Sequence, residues 1–564
     1  VRYIVKDVKT GANVDVNLTD RDFITEGGEG KIYGKAGTIY KIYHDQRKMI
    51  PTSKMKELQA LTLANILKPT DTVVNNHVPV GFTMRWEKDT VALCKLFTTD
   101  FWRRFNLNIN IIQDLLENMV DGIKFIHSKG FLMVDGNEMN YLVDSNSYKI
   151  PYFIDVDSWQ TPSFPATAIM PSIRDYHSKD FSELTDWFAF GIIAVQLFIG
   201  IHPYKGTHPA YRKSELEKRM RDNVSIFGKD ISLPASVRDM SNIPPTYKDW
   251  FINIFEKGMR DLPPTVKSIV VVVAKPQVVK TTNRFIMDLI GTYNGYIIRV
   301  DDYGNVFTSD KIYIGKAEYD ANPGSEIIYT RQTSTPIKVD IIQGRLYLST
   351  MSGEPLVTAI NCTDKTIING MLFVKNNDKL MEIAVEEFNG RMVTVVKSTW
   401  NVMLNSTKVM NGIVIQDVLG VPYFVIPYTL KTGKTACMIK PVQELVGYKI
   451  LEAKHDGNVV MVVVYKKDKY ERIIFKISDD YSTIHEYMKC EVTYHTPNFV
   501  TLDNGIVVSI NDEDMVEVFS RRIDRTDMNI VADPAIDFDM KLCKQGVSVY
   551  IRKDNKLFKF VMKK

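Results

Sequence analysis

The sequence predicts a multidomain chain in which an α+β half, about residues 1–262, precedes an all-β half, residues 268–564. Three observations carry this. The chain has 564 residues, beyond the ~100–200 that one core usually serves. Helical periodicity is confined to the first half. After Asp261-Leu262-Pro263-Pro264-Thr265 the residues become short β-branched and aromatic runs broken by turn glycines, and the two prolines, which donate no backbone hydrogen bond, mark a linker at 263–267.

Composition narrows the function classes. An apolar fraction of 45% and a charged fraction of 24% are globular values, which exclude a disordered, collagen-like or coiled-coil chain. Lys and Arg number 71 against 67 Asp and Glu, with no basic stripe, so nucleic acid is not the expected partner. Cys94, Cys362, Cys437, Cys490 and Cys543 stand far apart, without zinc or disulfide spacing, which favours a reducing compartment. The nine histidines show no metal-ligating pattern either. Phe188–Ile201 is an apolar run of 14 residues interrupted by Gln196, short of the ~20 that span a bilayer. It reads as a buried core helix. The first residues lack the apolar core of a leader, so the expected location is cytoplasmic and no membrane partner is expected.

Within the first half, short strands run to about Met84. A helix is expected over Ser53–Leu67. Another covers Ile111–Ser128, where Ile111, Ile112, Leu115, Leu116, Met119, Ile123 and Ile126 recur at three- and four-residue steps. A third covers Glu183–Gly200. In the second half, turn glycines followed by alternating apolar residues recur at Gly370, Gly412, Gly457, Gly505 and Gly546, with steps of 42, 45, 48 and 41 residues. This period is that of four-stranded propeller blades, and the half is long enough for six or seven; two stacked β-sandwiches are the competing arrangement. The register is less regular earlier, at Gly295 and Gly344. The aromatics Tyr296, Tyr347, Phe373, Phe424 and Tyr550 are expected to fill the blade cores.

Chemistry concentrates in the first half. Thr25-Glu26-Gly27-Gly28-Glu29-Gly30-Lys31-Ile32 places glycines between two apolar strands, where backbone amides can approach phosphate oxygens, although an ordinary glycine-rich hairpin has the same composition. Thr38-Ile39-Tyr40-Lys41-Ile42-Tyr43 then sets one lysine among apolar neighbours, which asks for an anionic partner; Glu57 is a candidate. His127-Ser128-Lys129-Gly130 leads to Asp135 and, five residues on, Asn140. Tyr152-Phe153-Ile154-Asp155-Val156-Asp157-Ser158 is an apolar strand ending in acid. Thr185-Asp186-Trp187 opens the third helix.

In this order the motifs resemble those of the protein kinase superfamily, and most of all the divergent bacterial and phage kinase-like proteins with Ile-Asp-x-Asp-Ser-x-Gln in the metal loop, here Ile154 to Gln160. The resemblance implies a two-lobed fold, with a small lobe about 1–86 and a large lobe about 87–262. It implies an ATP- and Mg²⁺-dependent Ser/Thr protein kinase. Gly27, Gly28 and Gly30 would cover the phosphates, Lys41 would contact the α and β phosphates, and Glu57 would hold Lys41. Asp135 would orient and deprotonate the acceptor hydroxyl, Asn140 and Asp155 would carry Mg²⁺ with Asp157 beside them, and backbone near Met84 and Trp86 would meet the adenine edge. Thr161, Ser163 and Thr167 fall in the segment corresponding to an activation loop. The second half would recruit a protein substrate or partner.

Departures are also legible. Met133 and Val134 stand where the family has His and Arg, so switching through an arginine-bound phosphorylated loop is not expected. Asn137 replaces the loop lysine, which implies slow transfer. A pseudokinase scaffold, such as a phage particle component, and a small-molecule kinase are the alternatives.

Overall fold

The computed structural model describes residues 1–7, 10–167, 169–264 and 283–563. The chain divides into two compact units, Val1–Leu18 with Glu29–Val279 and Thr19–Gly28 with Lys280–Lys564. The expected linker 263–267 lies outside the described residues from position 265 on, as does the expected start of the second half at Ser268. Among the described residues no helix is long and apolar enough to cross a membrane.

In the first unit, strands β1 (Arg2–Asp7), β2 (Asn13–Asn17), β4 (Gly30–Lys35), β5 (Thr38–Tyr43), β6 (Asp71–Asn75) and β7 (Val78–Arg85) lie in the sheet order β2-β1-β6-β7-β5-β4; β3 (Phe23–Glu26) falls in the segment that groups with the second unit. Ala36 and Gly37, both at positive φ (49° and 79°), close the β4–β5 hairpin, the two-residue turn whose twist suits paired strands. β5 is therefore an interior strand, with Lys41 opposite Ile32 on one side and Phe82 on the other. At Gly81 a Cβ would stand 1.9 Å from the Lys41 carbonyl oxygen, so only glycine allows β7 to approach β5 here.

Helix α1 (Thr52–Leu58) is shorter than the expected Ser53–Leu67. The chain from Asn65 to Leu67 instead follows the strand β10 (Pro151–Phe153): Phe153 N–H donates to Asn65 O at 2.9 Å and Leu67 N–H to Phe153 O at 2.9 Å. Tertiary pairing has overridden a weak helical preference at Thr62 and Asn65. After β8 (Thr90–Ala92) and the short α2 (Thr99–Arg104) comes α3 (Ile109–Ser128). It begins two residues before the expected start because the Asn108 side chain caps it, accepting from the N–H groups of Asn110 and Ile111. β9 (Tyr141–Asp144) joins β8 and β10 in a three-stranded sheet. α4 (Glu183–Ile199) is buried almost all round and ends at Gly200, φ 83°, the left-handed cap that glycine adopts at low cost. The short α5 (Leu216–Arg221) and then α6 (Pro245–Phe255), whose Trp250 and Phe255 pack against Gly191 of α4, complete the unit.

The second unit is strongly β-rich, with seven four-stranded sheets among the described residues. Six are antiparallel meanders of consecutive strands. The seventh draws on both ends of the unit: Phe285–Thr292 pairs with Lys556–Met562, which continues to Ser548–Lys553 and Lys541–Gln545. Gly370, Gly412, Gly457 and Gly505 each turn the first strand of a sheet into its second, and Gly546 turns the equivalent hairpin of the seventh; all five have φ between 58° and 82°. Gly344 joins the second and third strands of its sheet instead, which accounts for its irregular spacing. Consecutive sheets are stitched at these turns. Gly412 N–H donates to Thr366 Oγ1 at 3.1 Å, His455 N–H to Asn411 O at 2.8 Å and Thr501 N–H to Asp456 Oδ2 at 2.7 Å. Of the aromatics expected in the cores, Phe373 and Phe424 are fully buried, whereas Tyr296, Tyr347 and Tyr550 are half-buried.

One polar device sits inside this apolar packing. Arg472 and Glu517, both buried, form a two-pronged pair (Nη1–Oε2 3.0 Å, Nη2–Oε1 2.7 Å), and Asn511 Nδ2 donates to Oε1 at 3.0 Å. Arg472→Ala leaves a buried carboxylate without its cation, and denaturant unfolding of the second unit should show a loss of about 3–5 kcal/mol.

Candidate active site

Lys41 reaches inward from β5 and is 7% exposed. Its Nζ lies 2.7 Å from Asp157 Oδ2, 2.9 Å from Glu29 Oε2 and 3.8 Å from Asp155 Oδ1, between the rings of Tyr43 and Phe82. Burial alone pulls the ammonium pKa down, but the carboxylates of Asp157, Asp155 and Glu29 outweigh it and the net shift is upward. Tyr43, two residues along the same strand face, donates its hydroxyl to Asp157 Oδ2 at 2.8 Å. A second buried ammonium, Lys54 of α1, donates to the carbonyl oxygen of Asp157 at 2.8 Å. Two cations thus face three carboxylates. The local excess is negative.

The acids come from the turn after β10. Ile154 N–H donates to Asn140 O at 3.1 Å, which ties this turn to the loop below. Asp155 follows in the left-handed region (φ 58°, ψ 33°), a conformation that aspartate tolerates better than most side chains. Its carbonyl accepts from both the N–H and the hydroxyl of Ser158, and the short turn Val156–Ser158 turns Asp157 inward. The Asp155 side chain keeps 39% of its surface open, against 8% for Asp157. Desolvation first, and then the Asp157 charge, push the Asp155 pKa up to about 6.

The third part is the loop after α3. The side chain of Asp186, near the start of α4, is 2% exposed and accepts three hydrogen bonds: Oδ2 from Met133 N–H (2.8 Å) and from His127 Nε2 (2.9 Å), Oδ1 from Val134 N–H (2.8 Å). Val134 is held at φ 60°, unusual for a β-branched residue, and the two amides aimed at one carboxylate account for its persistence. Next comes Asp135. Its Oδ1 accepts from Met170 N–H at 2.8 Å, while Asn140 Nδ2 donates to its carbonyl at 2.8 Å and stands 3.4 Å from its Oδ2. With its NH₂ turned to Asp135, Asn140 directs its amide oxygen the other way. Asn137 is buried, and its Oδ1 accepts from Met139 N–H at 2.7 Å.

No family model matches the chain, and no curated protein matches it. Among solved structures it is similar to the kinase PK-1 of Cydia pomonella granulovirus, at 14% identity over 42% of this chain and 88% of that one, with a TM-score of 0.32.

The structure gathers Lys41, Asp155 and Asp157 into one ion-paired group and ties Asp135 to Asn140. It does not bring Glu57 to Lys41. The nearby hydroxyls of Ser163 and Thr161 hold the Glu57 pKa below the usual carboxylate value, its Oε2 is buried without a hydrogen-bond partner, and the helix position that meets the cluster is Lys54. Gly30 belongs to β4, where a Cβ would stand 2.3 Å from Ile42 O, so the packing of β4 on β5 requires glycine there. Gly27 and Gly28 fall in the second unit, with open space where a Cβ would stand. Met84 is opposite Ile39 in the ladder, and Trp86 N–H donates to Gly37 O at 3.0 Å, so that amide is already engaged. Sequence reasoning missed Glu29, Tyr43 and Lys54. For Tyr43 the signal was available, since every second residue of a strand shares a face; for Lys54 it was not, because a lysine on a short helix is ordinarily solvated.

Among the described residues no three His, Cys, Asp or Glu side chains converge into a metal cage. Mg²⁺ does not require one, since it is usually held by one or two protein oxygens together with phosphates and waters. The open carboxylate of Asp155 and the amide oxygen of Asn140 are hard oxygen donors of that kind, beside a cluster of net negative charge.

Proposed function

We propose that the first unit binds ATP with Mg²⁺ and transfers the γ-phosphoryl group to a Ser or Thr hydroxyl of a protein. The observation that carries the reading is the single ion-paired cluster of Lys41, Asp155 and Asp157, tied through Asn140 to Asp135. In this reading Lys41 neutralises the α and β phosphates, while Asp155 and Asn140 hold the metal, which supplies charge stabilisation for the transferring group. Asp135 orients the acceptor hydroxyl and takes its proton. Gly30 of β4 lies over the phosphates, and backbone between Met84 and Trp86 meets the adenine edge through groups other than the engaged Trp86 N–H.

For the second unit we propose a seven-bladed propeller that recruits the protein partner. The pairing of Phe285–Thr292 with Lys556–Met562 supports a closed ring, since it joins the two ends of the unit in one sheet. The absence of a disulfide among the described cysteines fits work in a cytoplasm.

A scaffold without transfer is favoured by one observation: Asn137, at the place of the loop lysine, is buried and its amide oxygen is spent on Met139 N–H. A thermal-shift titration addresses nucleotide binding directly. ATP with Mg²⁺ at a hundred times Kd should stabilise the wild-type chain by about 2.7 kcal/mol and Lys41→Met far less; a wild-type chain that does not shift would remove the nucleotide from the account.

A further inference from the structure

We infer that Asp157, rather than an acid of helix α1, is the residue that positions Lys41. The inference rests on the proposed reading of the cleft for its catalytic meaning, but its geometry stands without nucleotide. Three carboxylates face the Lys41 ammonium, and they are not equivalent. Glu29 is 54% exposed and Asp155 is 3.8 Å away and 39% exposed, whereas Asp157 is 2.7 Å away with 8% of its side chain exposed. An ion pair shielded from water is far less screened than one facing it. Asp157 is the dry partner.

It is also the one held from several sides. Tyr43 donates to the same Oδ2 that meets Lys41, which fixes the carboxylate from strand β5. Lys54 donates to the Asp157 carbonyl and fixes the backbone of the turn from helix α1. The helix therefore braces the cluster with a cation on a carbonyl, not with a carboxylate on Lys41. Glu57, one helical turn further, makes no ion pair with Lys41 among the described residues, and its Oε2 is buried without a hydrogen-bond partner. Two consequences follow. Asp157, with its Oδ2 engaged by both Lys41 and Tyr43, is a positioning residue. And because Asp155 and Asp157 share one turn, the phosphate-binding cation and the metal carboxylate are set as one piece.

The test measures acylation of individual lysines of the full chain by an amine-reactive acetylating reagent, read by peptide mass spectrometry. In wild type, Lys41 is protected by its ion pair. In Asp157→Ala its modification should rise about tenfold or more, because removing one member of a buried pair changes such an equilibrium by at least that factor; Asp157→Asn should fall between. Glu57→Ala should leave Lys41 within about twofold of wild type. Lys54 serves as an internal reference, since it bonds the Asp157 backbone and stays protected unless the turn as a whole opens. If Asp157→Ala does not fold, the Asn and Glu57→Ala variants still decide. Exposure of Lys41 in Glu57→Ala, or unchanged protection in both Asp157 variants, would overturn the inference. Protection of Lys41 by added ATP and Mg²⁺ in the wild type tests the proposed function separately: without it that reading falls, whatever the variants show.

Discussion

Lys41→Met is expected to lower transfer of labelled γ-phosphate by at least about 100-fold, the scale on which a preorganised charge acts in a water-poor site. Methionine keeps most of the apolar stem, so the change isolates the ammonium that lies between the rings of Tyr43 and Phe82. It also strands Asp157, buried and without its cation, so some stability should be lost as well. Asp135→Ala is expected to cost about 10²–10⁴-fold in rate, the usual contribution of a positioned base. Because Met170 N–H donates to Asp135 Oδ1, alanine would also release the segment around Met170. Asp135→Asn keeps that acceptor and removes only the charge. A steady-state assay of both variants separates the two roles: equal losses assign the effect to the charge, whereas a milder Asn variant assigns part of it to segment docking.

The largest stability effect in the first unit should come from Asp186→Ala. It leaves Met133 N–H, Val134 N–H and His127 without an acceptor in a dry core, where each unsatisfied donor costs about 1–3 kcal/mol. The unusual backbone at Val134 then has nothing to hold it, and the loop carrying Asp135 and Asn140 should relax. Urea unfolding should show a loss of about 3–6 kcal/mol, with Asp186→Asn, which keeps one acceptor oxygen, losing less. A loss below about 1 kcal/mol would mean that the carboxylate does not organise the loop.

What could be read beforehand, and what could not, follows from the range of the interactions. α3 and α4 were legible because their burial is written into three- and four-residue spacing. The turn glycines of the second half were legible because each hairpin needs a residue at positive φ, and five of them sit at the same hairpin of successive sheets. Gly344 broke the register because it belongs to the next hairpin, a distinction that spacing alone does not encode. The length of α1 was misjudged because Asn65 to Leu67 pair with a strand more than eighty residues away. In the site, Lys41, Asp135, Asn140, Asp155 and Asp157 were recognisable by residue type and order. The choice of partner for Lys41 was not, since it depends on the left-handed Asp155 and the tight turn that follows, which aim Asp157 rather than Glu57 at the ammonium.

The most direct test of the central claim is transfer of labelled γ-phosphate from ATP by the full chain, to itself or to added protein, with and without Mg²⁺. The account predicts Mg²⁺-dependent labelling that disappears in Asp135→Ala; absence of labelling in the wild type, or labelling that survives that substitution, would contradict it.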